Sequence, residues 1–248
     1  MGENSHTLIY KIKEEFTEMS RNSDRNLNLS LLFASIILFV YCYFGSFSFF
    51  EKTFVNLSNL EYWEIIYHNC MCLVLFGGLG LLFTKYILKK SPKDYGFAFN
   101  QKKLSLIFIL VAIPITAICG LTCVGDEQMS ATYPLVDFNG FGTWYFILGY
   151  YISYFLYYIG WEYLFRGLLL NASKEKMGIM GAILFTTLIS ALIHTSVGAF
   201  GKPMFETLSA IPAGIIFAYI AHKTRSIYPT IIIHFLVGVF TDLCIFLI

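Results

Sequence analysis

The chain has 248 residues and a formal net charge of +1; 57% of its residues are hydrophobic and only 13% are charged. A soluble domain carries roughly 25% charged residues, so an ordinary water-soluble globule is excluded, as is a disordered chain. Near-neutrality leaves no basic field for nucleic acid, and a mean hydropathy of +0.66 makes lipid the solvent for most of the chain.

Residues 1–27 form a polar, charged segment without the apolar run of a signal peptide. Leu8, Ile9, Ile12, Phe16 and Met19 fall near a helical period, which predicts either an amphipathic helix on the cytoplasmic membrane surface or a short soluble helix. Residues 28–248 read as one transmembrane domain, an all-α polytopic helix bundle in a cell membrane, with a bacterial one expected. Its seven apolar stretches lie at about 28–50, 63–87, 104–124, 141–169, 178–199, 205–222 and 227–247. Pro114 and Pro212 sit inside the third and sixth and predict kinks there. The fourth exceeds what a bilayer requires, so it tilts or protrudes. Cys42, Cys70, Cys72, Cys119, Cys123 and Cys244 form no CxxC pair and read as small buried hydrophobes.

The basic residues set the orientation. With the N-terminus inside, inner segments hold Lys11, Lys13, Arg21, Arg25, Lys85, Lys89, Lys90, Lys93, Lys102, Lys103, Arg166, Lys174, Lys176, Lys223 and Arg225, and outer ones hold only Lys52 and Lys202. The expected topology is N-terminus in and C-terminus out.

An ionised side chain at the centre of a bilayer costs about 2.5–3.5 kcal/mol, so such residues are functional candidates. Glu162 and Arg166 in the fourth span have the favoured i,i+4 ion-pair spacing, and self-neutralisation without chemistry is one reading of them. His194 in the fifth span and His234 in the seventh are each readable as hydrogen-bonded core histidines. Converging on one cavity, Glu162, His194 and His234 would activate a water or hold zinc. Glu206 and Asp242 are expected to hydrate near an interface, and His68 and His222 read likewise. Tyr150, Tyr151, Tyr154, Tyr157 and Tyr158 read as packing or lipid-facing residues, with a substrate-lining stripe as the alternative.

The segment Gly160-Trp161-Glu162-Tyr163-Leu164-Phe165-Arg166-Gly167 resembles the first motif, Glu-Glu-x-x-x-Arg, of the CAAX protease and bacteriocin-processing (CPBP, Abi) family of intramembrane endopeptidases. Glu162 and Arg166 match, while Trp161 stands at the first Glu. His194 matches the second-motif His, with Ser190 in place of a Phe; His234 matches the third, His-x-x-x-Asn, with Gly238 in place of the Asn. Tyr95-Gly96-Phe97 and Tyr228-Pro229 are also family-like, so the similarity spans roughly residues 85–248.

The resemblance implies an endopeptidase that uses a glutamate-activated water, with no bound metal expected and zinc the alternative. In the family the first Glu and the second-motif His polarise the water, and the third-motif His and Asn hold the oxyanion. Here Trp161 accepts no proton and Gly238 donates no side-chain hydrogen bond, which weighs against activity. Two functions stand open. One is a peptidase that processes membrane-associated peptides or prenylated proteins, or serves bacteriocin immunity, with Glu162, His194 and His234 as its catalytic set. The other is a non-catalytic scaffold that binds a peptide or membrane protein partner. A carrier is disfavoured by the lack of repeat symmetry. A shared site also has a geometric condition. Straight helices would offset Glu162 and His194 by up to roughly 20 Å, so the spans must tilt, start elsewhere or protrude.

Overall fold

In the computed structural model, residues 9–15, 17–18, 24–140, 143–195 and 201–248 are described. Leu8, Phe16 and Met19 of the expected amphipathic face lie outside them; Ile9 and Ile12 are helical and exposed. Asp24 starts the first span by accepting hydrogen bonds from the backbone N–H groups of Asn26 and Leu27 at 2.9 and 3.0 Å, a side-chain cap for otherwise unpaired donors. The helix it opens, α1 (Arg25–Phe44), buries Ser30, Ala34, Ile37 and Tyr41 on one stripe and exposes Leu32, Ile36, Phe39 and Tyr43 on another. Both stripes are largely apolar, as expected when the outer one meets lipid.

The chain continues through α2 (Phe47–Thr53), α3 (Leu60–Ile87), α4 (Lys102–Cys123), α5 (Glu127–Thr132) and α6 (Trp144–Glu162). A π-helical stretch, Tyr163–Leu169, joins α6 to α7 (Leu170–Ile193); α8 (Met204–Thr224) and α9 (Tyr228–Leu247) complete the order. No strand occurs among the described residues. Pro114 and Pro212 lie inside α4 and α8, which continue through them. Four buried hydroxyls are paired within their own helices: Ser30, Ser173, Thr186 and Thr224 each donate to the carbonyl four residues earlier, at 2.7–2.9 Å. This leaves few polar groups facing lipid.

Among the described residues, six helices are long and apolar enough to cross a membrane: Arg25–Phe44, Leu60–Ile87, Lys102–Cys123, Trp144–Ile193, Met204–Thr224 and Tyr228–Leu247. The seven expected stretches map onto these six, because the fourth and fifth share the 50-residue run Trp144–Ile193. Gly178 breaks that run at φ 68°, ψ 165°, a backbone region open essentially to glycine alone. A straight helix would carry Trp161 and His194 about 50 Å apart, yet their ring centroids are 5.3 Å apart. The chain therefore runs sixteen residues beyond Glu162, reverses at Gly178, and returns sixteen residues to His194. The fourth stretch continues as helix past Leu169 to the turn at Gly178, and the apparent vertical offset between the two residues disappears.

Three helix pairings frame the site: α9 along α4, α8 against α7, and α3 against α6. In the last of these a Cβ on Gly160 would collide with the Cys72 carbonyl, so glycine permits the close approach. The two outlying family-like segments also meet. Ile227 N–H donates to Gly96 O at 2.9 Å, and the Phe97 and Tyr228 rings lie 5.4 Å apart.

Candidate active site

Glu162 is the last residue of α6 before the π-helical stretch, and its side chain is fully buried. Its Oε1 accepts a hydrogen bond from His234 Nδ1 at 2.7 Å and stands 3.5 Å from Arg166 Nη1. The ion pair anticipated from the i,i+4 spacing is therefore present, with His234 as a third member. Because Nδ1 donates to the carboxylate, the second ring nitrogen, Nε2, is the one left for other chemistry. The Arg166 guanidinium lies 5.8 Å from both the Phe165 and Phe217 ring centroids, so the cluster is wrapped in apolar surface.

His194 closes α7. Its Nδ1 donates to the Ser190 carbonyl at 2.6 Å, which again frees Nε2. The His194 carbonyl accepts from Thr207 Oγ1 at 2.9 Å, tying the end of α7 to the start of α8.

His194 and His234 both line two adjoining cavities, of about 40 and 20 Å3. Lys202, Glu206, His68, Asn69, Tyr154, Tyr157 and Tyr158 also line the larger one; Trp161, Arg166, Ser190 and Phe217 are on the wall of the smaller. Glu162 lines neither, because it sits behind His234. Of the three residues expected to share a water, the two histidines reach the cavity and the glutamate supports one of them.

The carboxylate at the cavity is Glu206. Its Oε2 accepts from Tyr133 Oη at 2.7 Å, and its Oε1 pairs with Lys202 Nζ at 3.3 Å. Lys202 Nζ also donates to Tyr133 Oη at 2.5 Å. Tyr133 lies between spans, and burial together with neighbouring Glu206 holds its phenol well above its ordinary pKa, so it stays a donor. Glu206, expected to hydrate near an interface, is 22% exposed in the first turn of α8, and it also lines the cavity because that turn packs beside the end of α7. An ionisable residue inside an apolar stretch was the only sequence signal for it.

Asp242 departs from expectation. It is fully buried and accepts from Tyr150 Oη at 2.9 Å, because α9 turns that face toward α6 rather than toward an interface. His68 lines the cavity but is committed elsewhere: Nδ1 donates to Gly45 O at 2.6 Å, and Tyr41 Oη lies 2.8 Å from Nε2. Among the tyrosines, Tyr150, Tyr154 and Tyr158 are buried rather than lipid-facing.

The two departures from the family motifs are filled by aromatic rings. Trp161 is 2% exposed and packs edge-on against His194, with Tyr157 stacked at 5.5 Å and Phe165 at 4.8 Å. Gly238 faces Tyr154: a Cβ placed there would fall 2.6 Å from Cε1 and 2.8 Å from Oη. Glu162 Oε1 is already shared between His234 and Arg166, and the described residues contain no group of three or more His, Cys, Asp or Glu disposed around a metal.

Residues 142–240 match the family model described as type II CAAX prenyl endopeptidase Rce1-like. That segment holds Trp161, Glu162, Arg166, His194, Glu206, His234 and Gly238, while His68 and Asn69 at the cavity and Tyr133, the partner of Glu206, lie before it. No curated protein and no solved structure matches the chain.

Proposed function

We propose that the chain is a membrane-embedded endopeptidase that hydrolyses a peptide bond in the larger cavity, with water activated between His194 and Glu206. The observation that carries this reading is the cavity itself, where two histidines, each with Nδ1 already hydrogen-bonded, share a wall with an ionisable carboxylate. The match of residues 142–240 to a prenyl endopeptidase family supports a membrane-associated peptide, prenylated or apolar, as the substrate class.

In this mechanism water held by His194 Nε2 and the Glu206 carboxylate attacks the scissile carbonyl and gives up a proton to that pair. The tetrahedral oxyanion faces His234, whose ring is held in place by Glu162 behind it, the usual use of a carboxylate that orients an imidazole. Collapse breaks the C–N bond, and the proton passes to the leaving amine. Glu162 and Arg166 act as positioning residues.

Phe47, Leu135 and Lys202 at the cavity belong to the connections after α1, α4 and α7, the side that carries only Lys52 and Lys202 among the basic residues. By the positive-inside rule that side is extracytoplasmic, so substrate approaches from outside and the N-terminus is inside.

A second reading has its own observation. Trp161 occupies the space beside His194 where the resemblance expects a carboxylate, which suits a peptide-binding scaffold without chemistry. Turnover of an internally quenched farnesylated CAAX-type peptide and its unprenylated counterpart by reconstituted protein separates the two. Cleavage lost in His194→Ala and reduced about 10²–10⁴-fold in Glu206→Gln supports the enzyme. Peptide binding without cleavage supports the scaffold.

A further inference from the structure

Position 238 has no side chain to hold an oxyanion, but the space beside it is occupied. A Cβ on Gly238 would lie 2.6 Å from Tyr154 Cε1 and 2.8 Å from both Cζ and Oη. The phenolic end of Tyr154 thus fills the volume into which a longer side chain at 238 would extend, one helical turn after His234. Tyr154 is 6% exposed, and it lines the cavity shared by His194 and His234. Its position is fixed by Tyr158, one turn further along α6, whose ring lies 4.9 Å from that of Tyr154 and 4.2 Å from that of His234.

We propose that the Tyr154 hydroxyl is the oxyanion donor that position 238 lacks. A phenol is ordinarily protonated below about pH 10, and Tyr hydroxyls serve as oxyanion donors when they are preorganised in a water-poor site. The donor has moved from α9 to α6, and glycine at 238 is what makes room for it. Tyr154 and His234 then approach the developing negative charge from two helices. No covalent step beyond the hydrolysis already described is added, and the proposal rests on the endopeptidase reading.

The test uses the full chain reconstituted in lipid, with the same farnesylated and unprenylated peptides. Tyr154→Phe keeps the ring and removes only the hydroxyl; it is expected to lower kcat about 10²–10³-fold, with KM within about threefold and the thermal midpoint unchanged. Gly238→Asn alone is expected to be destabilised, because Asn meets the Tyr154 ring. The pair Tyr154→Ala, Gly238→Asn is expected to exceed Tyr154→Ala at least tenfold in kcat by restoring a donor to the same space. Tyr154→Phe retaining a third or more of wild-type kcat, while His194→Ala abolishes turnover, overturns the proposal and leaves the endopeptidase reading standing. Wild-type protein that cleaves neither peptide overturns both.

Discussion

The rings of Trp161 and His194 stand edge to face with centroids 5.3 Å apart, although 33 positions separate them along one helical run. The contact exists because the run folds back at Gly178. The two arms are equal in length, so residues at the end of α6 and the end of α7 come to the same depth.

The first prediction concerns that reversal. Gly178 has φ 68°, and a Cβ there would touch nothing within 4 Å, so substitution acts only through the backbone. Gly178→Ala is expected to cost about 1–3 kcal/mol. Gly125→Ala, also in open space but without a left-handed φ, should cost far less. Thermal unfolding of the purified protein in detergent measures both; equal effects would sink the idea.

Glu162 separates stability from catalysis. Glu162→Ala leaves Arg166 buried without its counter-charge, and breaking a buried pair in this way costs about 3–5 kcal/mol. Adding Arg166→Met should recover most of that loss. Lost activity in Glu162→Ala alone is therefore expected to accompany lost stability, read as a lower unfolding midpoint. An unaltered midpoint would mean that the pair carries no structural load.

The Tyr133 phenol is pushed well above its ordinary pKa by burial and by Glu206, so it stays protonated through the working range and keeps its bond to Glu206. The alkaline limb of the kcat profile should therefore be the same in wild type and Tyr133→Phe up to about pH 10, the ordinary phenol value, while kcat itself falls. A limb that shifts with the substitution would assign the titration to Tyr133 after all.

Sidedness is tested with cysteines in a cysteine-free background. Lys52, in α2, and Lys93 are both exposed, and they flank α3 on its two sides in the chain. An impermeant maleimide on intact cells should label Lys52→Cys, and should reach Lys93→Cys only after permeabilisation. The reverse pattern would put the cavity mouth on the cytoplasmic side.

Much of this protein was legible in its residues one stretch at a time. Lipid as solvent, an all-helical fold, the spans, and Glu162, Arg166, His194 and His234 as the polar groups to explain all follow from local composition and spacing, because apolar runs and i,i+4 pairs are properties of a single helix. What the helices do to one another was decided by tertiary structure. A single glycine with positive φ reverses the 50-residue run, and hydropathy does not register one dihedral angle. Glu206 reaches the cavity and Glu162 does not, because α9 sets His234 between Glu162 and the open space. Tyr154 fills the gap at Gly238 across 84 positions of sequence. Spacing along a chain sets which side chains share a helix face; only the packing of those faces sets which side chains share a cavity.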